Sequence, residues 1–255
     1  MKDLSWLTER PIAHRGYHND ENGVIENTPT AVSKALERNF AIEVDLQETA
    51  DHKALIFHDH TLNRVTHAKG EVAHRTLDEL MKVKLKRTRD PMWSLQQLLE
   101  EVKGDVPLII EVKSLFRNGG QREFLYEIVE ALRHYNGPFA LKSFDPKMLR
   151  ALKDMAPHIP RGALSCSFLE KPQRDFYNPV QRFIIRYMLH MLGTKPDFIS
   201  YCIRDLPAVG PSFLKRTRDV PVMAWTVKTP ADREKAQIFA DQIVFEGFDP
   251  DLPIM

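Results

Sequence analysis

Five short segments carry residue types that could do polar chemistry together. His14-Arg15-Gly16 closes the apolar run Pro11–Arg15. Glu43 and Asp45 alternate within Ala41–Leu46, and His58-Asp59 follows at the end of Ala54–His58. Glu111 and Lys113 alternate at the end of Val106–Val112, and Trp225 stands in Val220–Val227. Residues two apart on a β-strand share a face, so Glu43 projects with Asp45 and Glu111 with Lys113. Three converging carboxylates repel one another, and a buried charge without a partner is very costly. Two solutions exist. A hard divalent cation, Mg²⁺ or Ca²⁺, gathers the oxygens of Glu43, Asp45 and Glu111, or each carboxylate pairs with Lys113, Arg15 or another cation. His14 and His58 are the acid and base candidates, because imidazole titrates near neutral pH. Arg15 suits bidentate phosphate contact, and Lys113 adds positive charge. A metal, two cations and two imidazoles are the equipment of phosphoryl chemistry.

The elements that must position these groups alternate between β-type and helical runs. Strands are predicted at 11–15, 41–46, 107–112, 139–142, 162–165, 197–201, 221–226 and 242–245, with a further short one at 54–58. Helical stretches separate most of them, one opening at Asn27-Thr28-Pro29 with a capping residue and a first-turn proline. Alternation of this kind argues a parallel sheet. Eight such units in about 250 residues are what a (β/α)8 TIM barrel requires; an open doubly wound sheet is the competing arrangement. Barrel active sites sit at the carboxyl ends of the strands, which is where the histidines and carboxylates fall. The expected organisation is a single domain over residues 1–255, with an inserted segment at about 59–105 after the second strand.

Composition narrows the function classes. The 36 Lys+Arg and 35 Asp+Glu give a net charge of +1, so there is no general electrostatic footprint for nucleic acid. The two cysteines, Cys166 and Cys202, cannot form a disulfide framework and fit a reducing compartment. Residues 1–10 lack an apolar signal core, and no apolar run approaches the roughly 18–20 residues of a membrane span. A cytoplasmic, soluble or membrane-peripheral protein is expected; its oligomeric state stays open. The stretch 180–192 is apolar around much of its circumference, with Arg182 and Arg186 one turn apart. It reads either as a barrel helix packed on the sheet or as a peripheral membrane contact.

The ordered set His14-Arg15-Gly16, Glu26-Asn27-Thr28, Glu43-Val44-Asp45, Phe57-His58-Asp59 with Leu62, Arg64 and Thr66, and Glu111-Val112-Lys113 resembles the glycerophosphodiester phosphodiesterase family, as does Trp225-Thr226-Val227. The resemblance covers roughly residues 11–250. It implies a (β/α)8 barrel that hydrolyses glycerophosphodiesters to glycerol 3-phosphate and an alcohol. It implies that Glu43, Asp45 and Glu111 bind a divalent metal and that His14 and His58 act as general acid and base. Arg15 and Lys113 would hold phosphate oxygens, and Trp225 would line the pocket. The substrate would be a small glycerophosphodiester or a lysophospholipid. The competing expectations are a lysophospholipase D or sphingomyelinase D-like lipid phosphodiesterase, and a non-catalytic barrel that binds a phosphodiester. The Glu26-Asn27-Thr28 tripeptide is read here as capping and turn geometry.

Overall fold

The computed structural model describes residues 2–116, 121–167 and 177–253. In chain order the first elements are α1 (Trp6–Glu9), β1 (Ile12–Ala13), α2 (Pro29–Glu37), β2 (Ala41–Glu48), β3 (Ala54–Ile56), α3 (Leu77–Leu80), α4 (Leu95–Val102), β4 (Leu108–Val112) and α5 (Arg122–Leu132). Next come β5 (Phe139–Ser143), α6 (Pro146–Met155), β6 (Arg161–Ser165), α7 (Pro179–Arg186) and α8 (Met191–Thr194). The chain finishes with β7 (Phe198–Cys202), α9 (Val209–Arg218), β8 (Val222–Val227), α10 (Pro230–Phe239) and β9 (Gln242–Phe245). The sheet order is β1-β9-β8-β7-β6-β5-β4-β2-β3, and β1 also pairs with β2. With β3 set aside as an antiparallel partner of β2, that order is cyclic through eight strands. It is the order of the (β/α)8 barrel expected from the alternating pattern.

Helix starts follow local chemistry. Thr28-Pro29, Asp145-Pro146, Asn178-Pro179 and Thr229-Pro230 each place a capping oxygen on a free helix N–H and a proline in the first turn. Proline loses nothing there, because its missing N–H would have had no helical partner. Ser94 and Gln97 close a reciprocal capping box on α4.

The chain separates into two compact units. One takes Ile12–Leu115 and Gln121–Ala140; the other takes the remaining described residues. In the first, β2 runs parallel between β1 and β4, and the register sets Asp45 opposite Glu111. The stretch between β2 and α4 has its own apolar cluster, including Leu55, Phe57, Leu62, Val65, Leu85 and Met92. Of the span 59–105, residues 95–102 form α4, which packs against α2 and α5. In the second unit β6, β7, β8 and β9 pair in parallel succession. A Cβ at Gly162 would lie 2.2 Å from the ring of Phe198, so the glycine in β6 is the space that the β7 aromatic fills.

His190, in the same unit, is buried at 8% exposure. Its Nδ1 lies 3.4 Å from Thr194 Oγ1. Burial first, then Arg150, push its pKa down to about 4. The folded chain therefore resists the proton that the unfolded chain accepts at the ordinary imidazole value. This contribution to stability is complete above about pH 6.5 and is lost progressively as the pH falls to about 4, by about 3 kcal/mol in all. Urea unfolding of the wild type and of His190→Leu across that range should show a flatter pH dependence for the variant.

Candidate active site

The polar residues singled out in the first half of the sequence meet within one unit. The turn after β1 begins the assembly. Arg15 has φ +57° and Gly16 φ +81°. A Cβ on Gly16 would come within 2.8 Å of the Ala31 backbone, so the position is closed to side chains. Gly16 N donates to the Glu43 carbonyl at 3.2 Å, and Arg15 N donates to Glu43 Oε2 at 3.1 Å. The tight turn thus ties the His14-Arg15 pair to β2.

Glu43, Asp45 and Glu111 are all buried, and each offers an oxygen within 4.8 Å of the other two. Lys113 Nζ sits 2.8 Å from Asp45 Oδ1 and 2.6 Å from Glu111 Oε1. Arg15 Nε is 3.3 Å from Asp45 Oδ2, and its Nη1 donates to Glu26 Oε1 at 2.8 Å. His14 Nε2 is 4.0 Å from Glu43 Oε2. His58 Nδ1 lies 2.7 Å from Asp59 Oδ1. Arg64 then reaches both Asp59 oxygens, at 2.7 and 3.0 Å, and both Glu26 oxygens, at 2.8 and 2.6 Å.

These neighbours set the protonation states. Burial pushes Asp45 up, but Lys113, with His58 and Arg15 behind it, outweighs burial and holds the carboxyl well below its usual range. Burial pulls Lys113 down, yet Asp45 and Glu111 raise it. Burial opposes ionisation of Glu26, and Arg64 and Arg15 bring it down to about 2. His58 is lowered, chiefly by burial and next by Lys113. Asp59 is held ionised by His58 and Arg64 despite its burial, so it suits a hydrogen bond donated by His58 Nδ1–H, the tautomer in which Nε2 carries no proton.

The donor set suits a hard cation. All three central ligands are carboxylates, and oxygens facing each other across Ca²⁺ stand about 4.8 Å apart at the usual bond length of about 2.4 Å. Five carboxylates (Glu26, Glu43, Asp45, Asp59, Glu111) against three permanent cations (Arg15, Arg64, Lys113) leave two negative charges in the cluster. One divalent ion held by Glu43, Asp45 and Glu111 would neutralise that remainder.

Reasoning from spacing did not reach Asn27, Glu26, Asp59 and Arg64 in these roles. Asn27, at φ +58°, donates from Nδ2 to Asp45 Oδ2 at 2.9 Å and accepts from Asp45 N at 3.2 Å. Asparagine tolerates that left-handed backbone better than most residues, and this is the one signal the tripeptide offered. Trp93 Nε1 holds the Asn27 carbonyl at 2.8 Å. Trp225 stands on β8 in the other unit, its ring edge-on to Phe144 at 5.6 Å.

A parallel barrel carrying an acidic triad, paired cations and two imidazoles defines a barrel hydrolase of phosphate esters. Its relatives refine that class. The Glycerophosphoryl diester phosphodiesterase family profile matches residues 14–245. A glycerophosphodiester phosphodiesterase of Caldanaerobacter subterraneus is 34% identical over 174 residues, 62% of this chain and 68% of that protein. Among solved structures, an Oleispira antarctica phosphodiesterase in complex with sn-glycerol-3-phosphate aligns with a TM-score of 0.76 at 20% identity, over 94% of this chain and 93% of that one. A putative glycerophosphoryl diester phosphodiesterase from Silicibacter pomeroyi aligns at 0.73 and 24% identity, over 92% and 89%. The chain belongs to the glycerophosphoryl diester phosphodiesterase family.

The turn geometry yields a direct test. Gly16→Ala forces a side chain into the Ala31 backbone at a left-handed position, and should cost roughly 2–4 kcal/mol of stability. The midpoint of urea unfolding, read with an unchanged slope, measures it.

Proposed function

We propose that this phosphodiesterase hydrolyses glycerophosphodiesters to glycerol 3-phosphate and an alcohol, with a divalent metal held by Glu43, Asp45 and Glu111 and with His14 and His58 exchanging protons. The observation that carries the reading is the meeting of three buried carboxylate oxygens within 4.8 Å, with a histidine 4.0 Å from one of them. Membership of the family supports the substrate class. The complex of the Oleispira antarctica enzyme with sn-glycerol-3-phosphate is consistent with the product. A bound divalent cation would draw charge from a phosphoryl oxygen and stabilise the charge that develops in the transition state.

The chain's own residues divide the remaining work. Arg15 and Lys113 bring guanidinium and ammonium groups to the anionic diester. Asp59 fixes the ring of His58 through Nδ1, so that Nε2 takes the proton of the attacking hydroxyl, from water or from the glycerol 2-position. His14, close to Glu43, returns a proton to the leaving oxygen. The P–O bond to the alcohol breaks as the new P–O bond forms; where the glycerol 2-hydroxyl attacks, water must then open the cyclic phosphate to give glycerol 3-phosphate. Arg64 is a positioning residue that ties Asp59 to Glu26 and so holds the two ends of the site together.

Two measurements test the reading. His14→Ala and His58→Ala should each lower kcat on glycerophosphocholine by about 10²–10⁴-fold while leaving the circular dichroism spectrum unchanged, with release of glycerol 3-phosphate as the assay. Turnover near that of the wild type in either variant removes that histidine from its role. Separately, Mg²⁺ or Ca²⁺ at saturating concentration should stabilise the wild type by about 2–3 kcal/mol at roughly a hundredfold excess over Kd. Glu43→Gln should abolish that thermal shift, and EDTA should remove activity from the wild type.

A further inference from the structure

The surface of α7, α8 and α9 poses a different problem. Val180, Phe183 and Tyr187 recur at spacings of three and four residues and are exposed, so they lie along one face of α7 and its end. Ile185 and Met188 are buried and anchor the opposite face. Phe183 and Tyr187 touch, with ring centroids 4.8 Å apart. Leu189 and Leu192 extend the exposed apolar surface, Leu192 at 73% exposure. A Cβ at Gly210 would meet Met188 Cγ at 3.1 Å and Tyr187 O at 3.4 Å, so the start of α9 lies against the α7–α8 turn. Val209 and Phe213 there are 76% and 62% exposed. Single exposed aliphatics are ordinary; seven large apolar side chains gathered on adjoining helices are not.

Within the stretches that carry these side chains the charges are of one sign, with Asp197, Asp205 and Asp219 standing at their ends. Residues 178–196 contain Arg182, Arg186 and Lys195 and no Asp or Glu. Residues 206–218 contain Lys215, Arg216 and Arg218 and again no acid. Lys215 is bound to Asp241 at 2.6 Å. Arg182 and Arg186 are one turn apart beside the Phe183–Tyr187 pair, with the Arg186 guanidinium 5.6 Å from the Tyr187 ring centre. A second copy of the chain fits poorly, because a two-fold contact would set these cations against their own images. Apolar side chains bordered by arginines and lysines instead match an acyl boundary beneath anionic headgroups. We propose that α7–α9 is a docking face for an anionic lipid bilayer, with Val180, Phe183, Leu189 and Leu192 entering the interface and Arg182 and Arg186 meeting lipid phosphates. No helix among the described residues is long and apolar enough to cross a membrane, so the contact is interfacial.

Vesicle flotation tests the proposal without recourse to turnover, so it stands or falls apart from the catalytic reading. The wild type should float with phosphatidylcholine vesicles containing phosphatidylglycerol, about tenfold or more better than with phosphatidylcholine alone, and less at high salt. Arg182→Glu with Arg186→Glu, and separately Phe183→Ser with Leu192→Ser, should each weaken binding by about tenfold or more. Hydrolysis of a soluble diester should be unaffected. The fluorescence of a Leu189→Trp variant should shift to the blue on anionic vesicles and be quenched by brominated lipid, which decides the matter even where a double variant fails to fold. Absence of binding to anionic vesicles overturns the proposal. So does equal binding by both double variants, an indole signal from the Leu189→Trp variant that brominated lipid leaves unquenched, or a wild-type dimer in sedimentation that these substitutions dissociate.

Discussion

Everything in the candidate site depends on keeping Asp45 ionised while it is 1% exposed. Such a carboxylate survives only where opposite charge and donors stand close, and here Lys113 and Arg15 pair with it as cations while Asn27 donates a hydrogen bond, from three chain segments. Taking away one partner of a buried pair costs more than the pair adds, because the other charge is left stranded. That asymmetry accounts for the unusual backbone nearby. Arg15 and Asn27 both adopt left-handed φ values, and their backbones bond each other, Asn27 N to Arg15 O at 2.8 Å. The local strain is offset because it brings a guanidinium and an amide to one carboxylate at once.

Arg64 shows why position and energy must be judged separately. Its side chain is 47% exposed, so solvent screens its ion pairs and their net stabilisation is small. Its guanidinium nevertheless makes four hydrogen bonds, two to Asp59 and two to Glu26. A planar fork of this kind fixes angles as well as distances. Through Asp59 it reaches His58, and through Glu26 it reaches Arg15. His58 and Arg15 are thus held in one rigid relation, although 43 positions separate them in the chain. The worth of the fork lies in preorganisation, which static stability measurements register weakly.

What was legible in the sequence were features governed by short-range rules. The two-residue period of a strand puts Glu43 with Asp45, and parallel pairing in register brings Glu111 opposite Asp45. Capping residues followed by proline marked the start of α2 at Pro29. Alternation of strand and helix gave the eight barrel strands, with the 54–58 run becoming the antiparallel β3. The contacts that escaped prediction span long separations and obey no period. Asn27 to Asp45 crosses 18 positions and Arg64 to Glu26 crosses 38. Capping and turn formation were sufficient local reasons for Glu26-Asn27-Thr28, and only the folded backbone reveals that the same asparagine also clamps a carboxylate.

The segment that bears His58 and Arg64 explains how a partly exposed group can be placed so closely. A long connection between barrel strands would ordinarily lose much conformational entropy on ordering. Here Leu55, Phe57, Leu62, Val65 and Leu85 pack into a cluster of their own. Phe57 N donates to the Asp45 carbonyl at 2.9 Å, and Gln47 Nε2 holds the His58 carbonyl at 2.7 Å. The apolar cluster supplies the free energy of ordering, while those two hydrogen bonds set the register of the hairpin against β2. His58 is 32% exposed at its side chain, open enough to meet a ligand, yet its backbone is fixed to the same strand that carries Glu43 and Asp45. Accessibility and rigidity are reconciled by dividing them between the imidazole tip and the main chain beneath it.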